Sequence, residues 1–321
     1  MASAPKSVSV VTLAGGRAEH LKNLMLGLAQ QSHQPDEFVI AYMQDTPYEG
    51  LPALPFPVRQ VQVAGKPLPL AKARNTLARE ASGELLVYLD VDCIPAPDLV
   101  ADYVWAAGQT DALLMGEVYY LTEGANAPGW TFAGLEKNGV EHTWRYYMGK
   151  RAVEPCSDYN RFWSLNFAIP RAQFVKSGGF DERFVGYGAE DTDFSKMLAE
   201  RGVPLAFVGG AKCYHQYHAH HMPPTHHFDS VVRNAQLFEE KWGYRTMEQW
   251  LYAFYRMGLI KDSPQGIVVL RRPEEKDFAL SYQSPDMPFT DAVRVIEHFD
   301  AQAGIKSDPK EWDMFLKRPS F

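Results

Sequence analysis

The first ninety residues alternate two kinds of segment, and that alternation narrows the fold more than any other feature of the chain. "VSVVTLA" (8–14) is apolar and β-branched, which marks a strand buried on both faces. After Gly15-Gly16 comes a helical pattern over about 17–31, with Leu21, Leu24, Met25 and Leu28 on one face. "EFVIAYM" (37–43) is a second strand, and "VRQVQV" (58–63) a third beyond a proline-rich loop. A helix over 70–82, carrying Ala73, Leu77 and Ala81, leads into a fourth strand, "ELLVYLD" (84–90). Strands that alternate with helices build a parallel sheet with covering helices. In such sheets, ligands sit beyond the carboxyl ends of the strands.

After residue 100 the rhythm breaks. "ALLMGEVYY" (112–120) is a further strand candidate, and residues 121–163 are rich in glycine and aromatics, among them Trp130, Trp144, Tyr147 and Trp163. That stretch reads as a long loop region with short elements, either covering a substrate or packing as a satellite cluster. "PLAFVG" (204–209) is the last strand candidate. Beyond 228 the periodicity is helical, and the last helix places Phe289, Val293, Ile296 and Phe299 on one face. The expected architecture is α/β and Rossmann-like: a mostly parallel, helix-covered sheet over 1–227 with a helical C-terminal extension over 228–321.

Composition excludes several classes. The formal net charge is −7 and no basic tract occurs, so a nucleic-acid surface is not expected. No apolar run reaches the roughly 18 to 20 residues of a membrane span. The apolar stretch near the N-terminus meets glycines quickly and lacks a cleavage pattern, so it reads as a strand and not as a signal peptide. Three cysteines, Cys93, Cys156 and Cys213, form an odd set with no CxxC, which favours a reducing cytoplasm.

Three motifs carry chemistry. "LLVYLDVDC" ends an apolar strand on Asp90 and Asp92, and strand alternation would point both to one side if the chain stayed extended. Two carboxylates facing one point repel unless a cation sits between them or they divide the work. A hard divalent ion suits their oxygens and bridges to phosphate. "GYGAEDTD" (186–193) crowds three carboxylates behind a glycine turn. A helix start accounts for much of it, since acidic residues favour the positive end of a helix dipole. The same dipole would favour the ionised form of Asp191. "CYHQYHAHHMPPTHH" puts six histidines within 13 residues. Spacing of the HxxH kind can supply two metal ligands, although a structural zinc site or a solvated loop would share the composition.

"VVTLAGGR", "LAKARNTLAREASGELLVYLDVDC" and "SGGFDERFVGYGAEDTDFSKMLAERG" resemble the nucleotide-sugar-dependent glycosyltransferases of the GT-A fold, family 2 in particular. The second half is most similar to the animal beta-galactosyltransferases, whose members carry a DVD triplet and a GWGGED motif. The resemblance covers residues 8 to about 220, and the last hundred residues match nothing that can be placed. It implies a metal ligand at Asp92 and a ribose or base contact at Asp90. It also implies a general base at Asp191 and an acceptor-sugar contact at Glu190. The family's metal-binding His, five residues after a Cys, corresponds to His218, five after Cys213. His215 stands where the family carries Met, and imidazole is the better ligand for Mn²⁺ or Mg²⁺. Tyr187 replaces the family's Trp, and Ala189 its second Gly.

The resemblance thus implies transfer of a sugar, with UDP-galactose or UDP-N-acetylgalactosamine as donor, to a hydroxyl of a glycan or other acceptor, as in polysaccharide synthesis. One base without an adjacent nucleophile implies single displacement with inversion. Arg17, Lys72 and Arg74 are candidate donor contacts, Asp45 a candidate base reader, and Tyr187, Asn166 and Trp163 candidate acceptor contacts. Each also has a plain reading as a solvated, paired or packed side chain. Two other functions share part of the pattern: a nucleotidyltransferase on a similar sheet, and a non-catalytic carbohydrate-binding scaffold. Peripheral membrane contact through a helix such as "QWLYAFYRMGLI" and homo-oligomerisation stay open.

Overall fold

The computed structural model describes residues 4–142, 146–283 and 292–306, so Trp144 and Phe289 lie outside the described residues. The chain divides into two units: Met1–Arg183 with Asp191–Tyr217, and Phe184–Glu190 with His218–Phe321. The division falls before the expected boundary at 227, and it assigns the glycine turn ahead of Asp191 to the second unit.

The first unit begins β1 (Val8–Ala14), α1 (Ala18–Leu28), β2 (Glu37–Tyr42), β3 (Val58–Gln62), α2 (Leu70–Glu80), β4 (Leu85–Leu89), β5 (Cys93–Pro95) and α3 (Leu99–Ala107). It continues with β6 (Leu113–Leu121), α4 (Phe132–Asn138), β7 (Gly139–Glu141), β8 (Ala152–Cys156), β9 (Asn166–Pro170) and α5 (Arg171–Ser177). It ends with α6 (Glu190–Glu200), of which Glu190 falls in the second unit, and β10 (Leu205–His215). Along the sheet the order is β3-β2-β1-β4-β9-β6-β10-β5, with β7 on β6 and β8 on β10. The βαβ half, β3-β2-β1-β4, is parallel, as the alternating sequence requires. β9 then enters antiparallel between β4 and β6, and β6 runs parallel to β10. The sheet is therefore mixed beyond its parallel half.

Aromatic side chains fill the space between the sheet and α2, α5 and α6. Tyr88 stacks on Phe167 at 4.5 Å and Phe180 on Phe194 at 4.0 Å, with Phe162 and Phe174 around them. This packing fixes α6, and so the start of the segment that carries Asp191.

β10 outruns its expected end at residue 209. Gly209-Gly210 looks like a terminator in sequence, but the register shifts between Phe207 and Lys212 and pairing resumes to His215. Gly210, at φ 93°, forms the irregularity. Glycine adopts this conformation without a Cβ clash, so the strand kinks and continues.

The second unit contains α7 (Phe228–Trp242), α8 (Glu248–Arg256), β11 (Ile260–Ser263), β12 (Gly266–Val269), α9 (Glu275–Ser281) and α10 (Val293–Ala303). Its core gathers Val231, Ala235, Leu251, Phe254, Ile260 and Ile296. The expected helical extension therefore includes an antiparallel hairpin, β11–β12. Segment 184–190 belongs here through Phe184 and Ala189, which pack on Phe238 and Tyr244. Asn234 Nδ2 donates to Gly188 O at 2.8 Å and holds the turn.

Candidate active site

Asp90 and Asp92 stand at the carboxyl end of β4, where the chain does not stay extended as strand alternation would require. The chain bends: Cys93 N–H donates to Asp90 O at 2.9 Å and closes a turn. The two carboxylates have different cationic partners. Asp90 lies 3.5 Å from Arg74 Nη2, and Asp92 takes two partners of its own. Arg17 ion-pairs with Asp92 Oδ2, while Asp92 Oδ1 lies 3.4 Å from His215 Nε2. Asp92 is 6% exposed, so its charge is held largely out of water.

Arg17 reaches Asp92 from an unusual backbone position. It sits at the start of α1 with φ 52°, directly after Gly16 at φ 64°. Left-handed geometry costs a non-glycine residue of order 1 kcal/mol, and such outliers gather at functional sites.

Arg74 was expected to touch a donor directly. It is 3% exposed, its guanidinium lies 5.4 Å from the Phe180 ring centroid, and it is paired with Asp90. A side chain so enclosed acts on its acidic neighbours first. One of these is Asp191, in the first turn of α6. Burial pushes the Asp191 carboxyl above the usual Asp range; Arg74, the Thr192 N–H, its own N–H and that of Ser164 pull it back only in part. The net direction corrects the expectation from the helix dipole alone, because desolvation outweighs it. Thr192 N–H donates to Asp191 Oδ1 at 2.8 Å.

A line of rings leads away from His215. Tyr120 lies 5.0 Å from His215 and 5.7 Å from His142, and His142 lies 5.1 Å from Trp163, edge to face. Trp163, an expected acceptor contact, is half-buried at the far end of this line. Sequence pattern does not distinguish Tyr120 or His142, because aromatics fill the whole neighbourhood. Asp45 is exposed in the loop after β2, and Lys72 is exposed on α2.

Asn166 is not an acceptor contact. It is 0% exposed, and its amide is consumed inside the sheet. Nδ2 donates to Glu117 O at 3.0 Å and Ala211 O at 2.9 Å, and Oδ1 accepts from Tyr103 OH at 2.7 Å. Gly116 leaves the room, since a Cβ there would overlap the Asn166 amide and Ala211 O.

In the second unit, Tyr187 is 38% exposed and stacks with His227 at 4.8 Å and Trp250 at 5.7 Å. Ala189, where the resembled motif has Gly, keeps a left-handed φ of 72°. Glu190, the next residue, is buried. His218 opens the second stretch of this unit, three residues after His215, and its ring lies 5.8 Å from that of His220.

Asp92 and His215 offer one carboxylate and one imidazole side by side. Oxygen and nitrogen donors of this kind fit Mn²⁺ or Mg²⁺.

The fold is that of the GT-A glycosyltransferases. The chain is similar to the solved structure of GalNAc-T7 with UDP, GalNAc and Mn²⁺, at TM-score 0.51 and 15% identity over 96% of this chain and 56% of the other. Residues 61–248 match the family described as "Glycosyltransferase like family 2", and the chain belongs to that family. Among curated relatives, the validoxylamine A glucosyltransferase of Streptomyces hygroscopicus subsp. jinggangensis is 31% identical over 153 residues, 42% of this chain and 36% of its own. The chondroitin synthase of Escherichia coli is 25% identical over 169 residues, 46% of this chain and 25% of its own. The matched region thus spans about a third or less of these relatives' length. Among the described residues, no helix is long and apolar enough to cross a membrane.

Proposed function

We propose that the chain is a metal-dependent, inverting glycosyltransferase that moves a sugar from a nucleoside diphosphate donor to an acceptor hydroxyl. The observation that carries the reading is the Asp92–His215 pair, 3.4 Å apart at the carboxyl ends of β4 and β10, where α/β proteins bind ligands. Family membership adds to it, as does the Mn²⁺ and UDP named for GalNAc-T7. The donor class is UDP-galactose or UDP-N-acetylgalactosamine.

Asp92, His215 and His218 are the ligands for Mn²⁺ or Mg²⁺. An ion held there would supply positive charge against the donor's diphosphate. Asp90, oriented by Arg74, meets the ribose or base, Asp45 reads the base, and Arg17 and Lys72 answer the donor's negative charge. Glu190, Tyr187 and Trp163 hold the acceptor. Asp191 takes the acceptor's proton, and a base raised toward neutrality does so better than an ordinary aspartate. With one base and no nucleophile assigned beside it, displacement is single and the anomeric centre inverts.

A thermal-shift panel tests this reading. The protein is heated with UDP, GDP, CMP or TDP, each with Mn²⁺, Mg²⁺ or EDTA. One nucleoside diphosphate should stabilise only with metal, by about 2.7 kcal/mol at a hundred times its dissociation constant. Asp92→Ala should remove the metal dependence. No shift under any pairing would overturn the assignment.

A further inference from the structure

We propose that Gln216 is a positioning residue, whose buried amide fixes the end of β10 against the Asp90–Cys93 turn and so holds His215 beside Asp92 for the cation. The proposal rests on the metal reading above.

A strand end is a poor place to hold a ligand, because pairing stops there. β10 stops at His215, yet the next residue is 0% exposed and makes four hydrogen bonds. Its backbone N–H donates to Asp92 O at 2.7 Å, joining directly the two segments that carry the ligands. Its side chain then ties that junction to the surrounding structure. Nε2 donates to His20 O in α1 at 3.0 Å. Oε1 accepts from Asn23 Nδ2, also in α1, at 2.9 Å and from Asn126 Nδ2 at 2.8 Å.

The orientation of each amide follows from its partners. Trp130 Nε1 can only donate, and it donates to Asn23 Oδ1 at 2.9 Å. Asn23 Nδ2 is thereby turned toward Gln216, which must present Oε1 and leave Nε2 for the His20 carbonyl. The assignments fix the orientation of both the Asn23 and the Gln216 amides. Trp130 packs on the cluster of Ile94, Leu121 and Tyr214, so the anchor reaches both strands next to the ligands. A buried amide satisfied on both sides specifies one arrangement, whereas a half-satisfied one would not.

General support of the fold would also bury such an amide. The two roles separate in one quantity: the dissociation constant for Mn²⁺ alone, read by isothermal titration well below the melting temperature of every variant. Outer partners that orient ligands typically change metal affinity 10- to 100-fold. Gln216→Met keeps the length and removes the side-chain bonds, so Mn²⁺ should bind about 10- to 100-fold more weakly. Asn23→Ala leaves Gln216 in place and removes one bond to it, so the loss should be a few-fold. A folded Gln216→Met protein that binds Mn²⁺ like wild type overturns the proposal. If Gln216→Met does not fold, unchanged affinity in Asn23→Ala overturns it. Wild-type protein that binds no Mn²⁺ would sink the metal reading itself, and that is seen before any variant is compared.

Discussion

Replacing Asn166 by alanine should damage stability and not acceptor recognition. The side chain makes three buried hydrogen bonds, two as donor to Glu117 O and Ala211 O and one as acceptor from Tyr103 OH. Alanine leaves the two carbonyls without that donor and the hydroxyl without that acceptor. A buried polar group left unmet costs about 1–3 kcal/mol. The Tyr103 hydroxyl can turn to another acceptor, so a total of about 3 kcal/mol is expected. With a urea m-value of about 2–3 kcal/mol per molar, the midpoint should fall by about 1–1.5 M at unchanged m. Transfer kinetics measured on the remaining folded protein should keep the wild-type acceptor KM. An unmoved urea midpoint with a raised acceptor KM would refute the reasoning and return Asn166 to the acceptor site.

The other predictions follow from the same contacts. Asp191→Asn should lower the transfer rate about 10²- to 10⁴-fold, measured by nucleoside diphosphate release. Because burial raises the Asp191 pKa, the folded state binds more protons there than the unfolded state over the interval between the two values; this group's contribution to stability falls as pH rises through it. The same variant should therefore melt higher than wild type at neutral pH. For the same reason the acid limb of kcat/KM should lie above the pH expected for an ordinary aspartate, with activity lost as pH falls through the raised pKa.

Glu37 behaves oppositely: desolvation works against its charge, but hydrogen bonds from Ser82, Ser9 and Arg59 prevail and bring its pKa from 4.5 to about 2. That difference is worth about 3 kcal/mol at neutral pH, lost as pH falls from about 4.5 toward 2. Glu37→Gln should thus be destabilised at pH 7 and converge on wild type in acid, read by urea unfolding. Phe194→Ala removes a ring packed on Phe180, Phe162 and Phe174, and should cost about 3–5 kcal/mol in the same assay.

Most of the parallel half was legible because β1, β2 and β4 are buried on both faces and read as apolar runs, while the half-exposed β3 showed through its alternating valines. β1 through β4 fall within a residue or so of their expected ends. β10 was legible only as far as its glycines, since a bulge and a turn look alike in sequence. Asp92 and Asp191 could be singled out because carboxylates gather where an apolar strand stops and where a helix starts, and His215 because it lies in a histidine cluster at HxxH spacing. What they touch could not. The bend after β4 is held by backbone hydrogen bonds that include partners far away in sequence, and the burial that raises Asp191 depends on packing from distant segments. Asn166 misled for the same reason, since a polar residue beside a motif looks available until its three partners are seen. Gln216 was hidden between two histidines, and its partners in α1 and near Trp130 lie some 90 to 200 residues away in sequence.

The most direct test of the account is a crystal of the protein grown with Mn²⁺ and UDP, with diffraction collected at the manganese edge. The account predicts one anomalous peak within bonding distance of Asp92 Oδ1 and His215 Nε2, with the UDP diphosphate against it. A peak elsewhere, or bound UDP with no metal beside Asp92 and His215, would contradict it.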